Sequence, residues 1–279
     1  MLSFGACVVF YYPDADAYDN VMRLLDVAPT IVIVDNTPGS TPLGERLRED
    51  PRIEYVPLGY NRGIAHALNL GCRRLLESGC AFALTMDQDS LFPATHASRI
   101  LELVEQYSRD YAIIGLEFNM DTDPSSDAIR DVACWLTSGN FLNLSVWKKF
   151  GGFREELFID YVDIEFDHRL ISAGHRIGVL RGFSLTHSIG TPIDFSFLGR
   201  TIHAMNHSPI RYYYRYRNST RLTLEHPGFY LHYFAHEFFI NVLKMLIFET
   251  RKWSKIKAIS RGFLDGVSGR LGEHQEATR

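Results

Sequence analysis

Ala81-Phe-Ala-Leu-Thr-Met-Asp-Gln-Asp89 is an apolar run that ends in two carboxylates one residue apart. Residues 81–86 are short and unalternating, the pattern of a strand buried on both faces. Similar runs precede it at residues 4–10, 30–34 and 52–56, and helical patterns lie between them at 15–26, 42–49 and 63–78. Strand–helix alternation of this kind implies an α/β fold of βαβ units with a mostly parallel sheet flanked by helices. Ligands of such sheets sit beyond the carboxyl ends of the strands. Tyr11-Tyr12, Asp35-Asn36 and Asp87-Gln88-Asp89 each follow a strand-like run directly, so all three fall on one functional rim.

The pair Asp87 and Asp89 needs a physical reason at a buried strand end. Unpaired carboxylates are costly there, whereas a divalent cation with a diphosphate neutralises them, and hard cations prefer oxygen ligands. A surface turn, where Asp is common, is the alternative. His187, after the apolar run 177–185, reads either as a hydrogen-bonded structural residue or as a third, neutral-imidazole ligand. Asn61-Arg-Gly-Ile-Ala-His-Ala-Leu-Asn69 puts polar groups and Gly63 at a helix entrance, which suits a phosphate or sugar and equally a simple turn before an amphipathic helix. Phe158-Ile-Asp-Tyr-Val-Asp-Ile-Glu-Phe-Asp-His-Arg169 crowds Asp160, Asp163, Glu165 and Asp167 around a helix start. First-turn acids favour a helix, and Asp160 could cap it, but Asp163 and Asp167 share a face and repel unless something offsets them. A carboxylate projecting into a cleft here could act as general base.

The bulk numbers narrow the classes. The chain has 279 residues, 46% hydrophobic and 22% charged, with a net charge of −4 that argues against nucleic-acid binding. Its four cysteines form no CxxC pair, which disfavours structural zinc and fits a reducing, cytoplasmic setting. The N-terminus has no signal-peptide pattern. No uncharged stretch reaches the roughly 18–20 residues that span a bilayer. Residues 121–127 read as a turn cluster, and from about residue 206 the composition shifts to interleaved bases and aromatics, Arg211-Tyr-Tyr-Tyr-Arg-Tyr-Arg217, then an apolar helical stretch over 229–248 and a basic segment over 251–257. That tail reads as a helical extension lying on a membrane surface, or packed on the catalytic domain or in a dimer interface.

Taken together, Val32-Ile-Val-Asp-Asn36, residues 61–69, Met86-Asp-Gln-Asp89, Thr137-Ser-Gly-Asn140, residues 158–169 and Thr186-His187 resemble the GT-A-fold family 2 glycosyltransferases, particularly bacterial rhamnosyltransferases, over roughly residues 4–220. The resemblance implies a catalytic domain over 1–205, with a nucleotide-sugar half (1–110) and an acceptor half (111–205), and a helical region over 206–279. It implies an inverting transfer of L-rhamnose from dTDP-L-rhamnose to a saccharide or lipid-linked saccharide in cell-surface polysaccharide synthesis, at the inner face of the cytoplasmic membrane. Tyr11, Asp35, Asn61, Gly63, Asp87, Gln88, Asp89 and Arg217 would meet the donor. Asp87, Asp89 and His187 would hold Mg2+ or Mn2+. Ser138, Gly139, Asn140, Asp160 and Glu165 would border the acceptor, and Asp163 would be the base, with Asp160 its rival. The family's acidic motif usually begins Glu-Asp; Val162 stands here in place of the first acid. UDP-galactofuranose, UDP-glucose and UDP-N-acetylhexosamine are alternative donors, and a non-catalytic nucleotide-binding protein is the rival of another class.

Overall fold

The structure, a computed structural model, describes residues 2–39, 41–120, 128–187, 193–197, 200–204 and 206–274, without the side chains of 187, 193–197 and 200–204. The turn cluster expected at 121–127 lies outside the described residues. Among those described, the strands are β1 (Phe4–Phe10), β2 (Ile31–Asp35), β3 (Ile53–Pro57), β4 (Phe82–Asp87), β5 (Ser90–Leu91), β6 (Ile113–Phe118), β7 (Ile129–Asp131), β8 (Asn140–Asn143), β9 (Ile177–His187), β10 (Ile193–Phe197) and β11 (Arg200–Ala204). The helices are α1 (Ala15–Leu24), α2 (Pro42–Leu47), α3 (Ile64–Glu77), α4 (Ala97–Tyr107), α5 (Leu144–Lys149), α6 (Val162–Ser172), α7 (Pro209–Glu225), α8 (Pro227–Ala235), α9 (Val242–Phe248) and α10 (Lys252–Ser268).

The chain forms two compact units, residues 1–155 with 162–188, and residues 156–161 with 189–279. The first holds the main sheet, in the order β3-β2-β1-β4-β8-β6-β9-β5, with β7 on β9. β3, β2, β1 and β4 run parallel, as the strand–helix alternation requires. β8 then enters antiparallel between β4 and β6, and β9 returns parallel to β6. Both faces of β1 and β2 are buried, which matches their unbroken apolar sequence. Register sets Phe10 beside Asp35 and Val9 beside Asp87, so the carboxyl ends of β1, β2 and β4 meet at one rim.

Local signals explain the helix boundaries. Asp14 caps α1 by accepting from the Ala17 N–H, Thr41 caps α2 with Pro42 in its first turn, and Asn143 caps α5 through the Ser145 and Val146 N–H groups. α3 approaches β1 closely through Gly71, where a Cβ would come within 2.2 Å of the Cys7 Sγ.

In the second unit α7 lies against α10. Gly262 and Gly266 permit this, because a Cβ at either would meet the backbone oxygen of Tyr213 or Arg217. The apolar stretch expected as one helix over 229–248 is instead α8, a π-helical turn at His236–Asn241, and α9. The π-turn carries Glu237, whose buried carboxylate meets the Arg215 guanidinium at 2.6 Å and the Asn241 amide at 2.9 Å. A second buried pair, Lys255 with Glu249 at 2.7 Å, is closed by the Tyr212 hydroxyl.

Gly71→Ala should lower stability by about 1–3 kcal/mol through overpacking. Adding Cys7→Ala should recover part of the loss, because the two sites are in contact. Equal melting temperatures for wild type and Gly71→Ala would contradict this packing.

Candidate functional site

The rim is built around the turn that follows β4. Asp87 is half-buried and Asp89 exposed. Gln88, between them, ties the turn to the end of β1: its Oε1 accepts from the Tyr11 N–H at 2.8 Å and its Nε2 donates to the Tyr11 carbonyl at 3.2 Å. The Asn20 amide donates to the Gln88 carbonyl at 3.0 Å. From below, the Ser138 Oγ accepts from the Asp87 N–H at 3.0 Å and donates to the Ser90 Oγ at 2.8 Å. The turn is thus fixed at both ends, at the carboxyl rim of the sheet.

The backbone of β9 brings His187 into register with Ser90, one residue past Asp89. The His187 side chain lies outside the described residues, and no group of three metal-ligating side chains occurs among those described. The two carboxylates of the turn are oxygen ligands of the kind that Mg2+ and Mn2+ prefer.

Asp35 and Asn36 organise the neighbouring loops. Asp35 is fully buried, and its carboxylate accepts from the Thr37 N–H at 2.8 Å, the Thr41 hydroxyl at 3.0 Å and the Tyr55 hydroxyl at 2.8 Å. Burial, more than the adjoining Asp35, raises the Tyr55 hydroxyl above its ordinary value, so it remains a donor. Asn36 bridges to the next loop: its Nδ2 donates to the Gly63 carbonyl at 3.2 Å and its Oδ1 accepts from the Arg62 N–H at 3.1 Å. Asn61 closes that loop on the Gly63 N–H at 2.9 Å, and Gly63 enters α3 at φ +83° with no side-chain cap.

Tyr12, Pro13, Thr41, Pro42, Leu43 and Arg46 line a cavity of about 460 Å3 at this end of the sheet. Tyr12 is held at φ +48° and its N–H donates to the Thr37 Oγ1 at 2.8 Å. A planar ring and a cation in one open cavity suit a nucleobase with its phosphates. Thr41 and Arg46 were not singled out in the sequence; placing the β2–α2 connection on the ligand rim would have pointed to them.

A second, small cavity of about 10 Å3 lies deeper, lined by Thr85, Trp135, Thr137, Asn140, Asp163 and Asp167 among others. Thr85 stands two residues before Asp87, and Thr137 adjoins Ser138. This cavity therefore brings the start of α6, with Asp163, to the strand that carries the acidic turn. Asp163 is half-buried, and its Oδ1 accepts from the Ile164 N–H at 2.9 Å.

The pattern of the family described as Glycosyl transferase family 2 matches residues 16–163. The chain belongs to glycosyl transferase family 2. It is 28% identical to the dTDP-rhamnosyl transferase RfbF of Shigella flexneri, over 96% of each chain. S. aureus TarS 1–349 in complex with UDP-GlcNAc superposes with a TM-score of 0.63 at 16% identity, over 95% of this chain and 82% of that one. GalNAc-T7 with UDP, GalNAc and Mn2+ gives 0.63 at 11% identity, over 97% and 56%. The GT-A fold expected from the sequence is the fold of this transferase.

Several residues of the transferase occupy places other than those expected. Both oxygens of Glu165 hold Arg169, at 2.8 and 3.0 Å, and Arg169 goes on to the carbonyls of Phe150 and Gly152. Glu165 therefore braces α6. Arg217 is buried in the second unit, where its guanidinium donates to the carbonyls of Glu156, Leu157 and Gly272. Its Nε donates to the Asn218 Oδ1 at 2.9 Å. With Asn218, which donates to the carbonyls of Leu157, Ile159 and Asp160 at 2.8–2.9 Å, it clamps a segment in which Phe158, Asp160 and Tyr161 all have φ near +60°. Left-handed conformations cost non-glycine residues of order 1–3 kcal/mol each, so the clamp offsets real strain. Asp160 is part of it, and its carboxylate faces Arg211 at 3.3 Å. Asp35 meets its three donors in the protein interior, so it orders the loop that walls the larger cavity. Ser138, Gly139 and Asn140 are buried beneath the acidic turn, and Gly139 adopts φ +73° with Leu185 packed against it.

Ser138→Ala removes an acceptor from the Asp87 N–H and a donor from Ser90. It should cost about 1–3 kcal/mol in chemical denaturation and weaken nucleotide binding as the turn loosens. An unchanged denaturation midpoint would contradict the bridging role.

Proposed function

We propose that this glycosyltransferase moves a hexosyl group, with inversion, from a nucleotide diphosphate sugar to a saccharide or lipid-linked saccharide of the bacterial cell surface. The observation that carries this reading is the small cavity that sets Asp163 against the β4 strand leading into Asp87 and Asp89. Pure nucleotide binding needs no carboxylate there. dTDP-L-rhamnose is the favoured donor, because likeness to a dTDP-rhamnosyl transferase extends over almost the whole of both chains.

In this reading the larger cavity takes the base, with Tyr12 against the ring and Arg46 near the phosphates. Asp87 and Asp89, with His187, would hold Mg2+ or Mn2+, which supplies countercharge to the diphosphate when bound. Gln88 and Ser138 keep the turn rigid, so that little reorganisation is needed during transfer. Asp163 accepts the proton of the acceptor hydroxyl as that oxygen attacks the anomeric carbon from the face opposite the diphosphate. One displacement inverts the configuration.

The second unit supports action at a lipid surface. Leu231, Phe239, Leu243, Ile247 and Leu264 are exposed, Trp253 is 78% exposed, and Lys244, Arg251, Lys252 and Lys257 are exposed too. Aromatic and aliphatic side chains mixed with cations fit the interface of an anionic membrane. No described helix is long and apolar enough to cross one.

A thermal-shift screen of nucleotide sugars with Mg2+ or Mn2+ should single out dTDP-rhamnose. Stabilisation by a UDP-sugar alone would overturn that donor. Asp163→Asn should keep the shift and lose transfer by a factor of about 100 or more; near-wild-type turnover would remove Asp163 from the base role. The full chain should float with liposomes rich in anionic lipid, and Leu243→Ser with Trp253→Ser should stay in solution. Equal flotation of the two, or a concentration-dependent dimer in place of flotation, would refute the membrane reading.

A further inference from the structure

Asp167 presents a problem that the proposed reaction does not use. It lies on α6 one turn beyond Asp163, and it is 2% exposed. The Trp135 N–H donates to its Oδ2 at 2.7 Å. That single bond is far short of what a buried carboxylate requires. Asn140, across the same small cavity, has the complementary problem. Its Nδ2 donates to the Leu136 carbonyl at 2.7 Å, whereas its Oδ1, in a residue 4% exposed, accepts no hydrogen bond from the protein. Gly115 makes room for it, since a Cβ there would come within 2.6 Å of that oxygen and of the Trp135 ring.

The geometry points to one buried water in this cavity, joining the Asp167 carboxyl to the Asn140 Oδ1, and to Asp167 as a positioning residue for Asp163. The inference rests on the proposed role of Asp163 as base. A volume of about 10 Å3 matches the least space that holds one water, and such a water needs two to four polar partners. The lining supplies them. The water donates to Asn140 Oδ1 and accepts from an Asp167 O–H, which leaves its second proton for Asp163 or the Thr137 hydroxyl.

This arrangement requires that Asp167 keep its proton. Burial pushes its carboxyl well above the ordinary carboxylate range; the Trp135 N–H opposes this, and the charge of Asp163 adds to it. Among the described residues lining the cavity, Asp163 and Asp167 alone are titratable. Like charges one turn apart disfavour ionising both acids, and the more buried one, Asp167, holds the proton. Asp167 thereby stands as a neutral acid beside Asp163, and the water fixes the spacing of the two. The repulsion that the i, i+4 pair would otherwise suffer is removed.

Asp167→Asn mimics the neutral acid, since it keeps an acceptor for Trp135 and a donor for the water. Two readouts need no turnover. At neutral pH the infrared difference between wild type and Asp167→Asn should show a protonated-carboxyl stretch. The sign of the stability effect also follows. At low pH both the folded and the unfolded chain carry this proton. As pH rises the unfolded chain releases it while the folded chain does not, so wild type loses stability that the variant keeps. The melting-temperature difference, variant minus wild type, should therefore grow from acid to neutral pH. In kinetics, the acidic limb of kcat/KM should stay in place for Asp167→Asn. Asp167→Leu, which lacks both bonds, should lose about tenfold or more in kcat with little change in donor KM.

A missing infrared band, a flat melting difference, or an acidic limb that moves down by about half a pH unit or more would show Asp167 charged and overturn the inference. Wild-type kcat in Asp167→Leu would overturn its positioning role. High-resolution crystallographic density at the Asn140 Oδ1 should show the water, and clear absence of density there would remove it. A missing band together with an inactive Asp163→Asn enzyme defeats this inference alone. A band together with an active Asp163→Asn enzyme defeats the base assignment beneath it.

Discussion

A carboxylate withdrawn from water needs donors, a countercharge or a proton, and the architecture of this transferase follows from how each of its inward-facing acids meets that need. Asp35 is given three donors, and the loops after β2 are arranged around supplying them. Glu165 takes Arg169, Glu237 takes Arg215, and Glu249 takes Lys255. Asp167 has one backbone N–H and otherwise depends on its proton. Asp87, half-buried, and Asp89, exposed, lie instead at the carboxyl rim of the sheet, on a turn braced by Gln88 and Ser138.

That contrast separates the site from its supports. Acids answered from within the protein hold elements in place: Glu165 fixes α6 to the loop before it, and Glu237 stabilises the π-turn between α8 and α9. The acids at the rim are the less buried ones, Asp87 half-buried and Asp89 exposed. The two sets are interleaved along the chain. Asp163, Glu165 and Asp167 lie within five residues of one another on one helix and meet three different environments.

Much of the first unit was legible in the sequence. The four parallel strands appear as apolar runs, and their ends foretell the rim, because burial on both faces and the βαβ connection are local facts. The insertion of antiparallel β8 between β4 and β6 was not legible, since nothing in residues 140–143 says which strands they will pair with. The π-turn at His236–Asn241 broke a pattern that reads as continuous helix. Family resemblance carried Glu165 and Arg217 to ligands, but their partners, Arg169 and the carbonyls of residues 156, 157 and 272, come from packing that a motif does not contain. The repulsion between Asp163 and Asp167 was visible from spacing alone; its resolution required the cavity.

The account stands or falls on whether the turn at residues 87–89 is where a cation and a diphosphate meet. Crystals grown with Mn2+ and dTDP, with anomalous scattering recorded at the manganese edge, test this directly. The account predicts one strong anomalous peak in contact with the carboxylates of the Asp87–Asp89 turn and with the diphosphate, and a thymine ring beside Tyr12. A diphosphate bound away from that turn, or a manganese peak held by other residues, would contradict it.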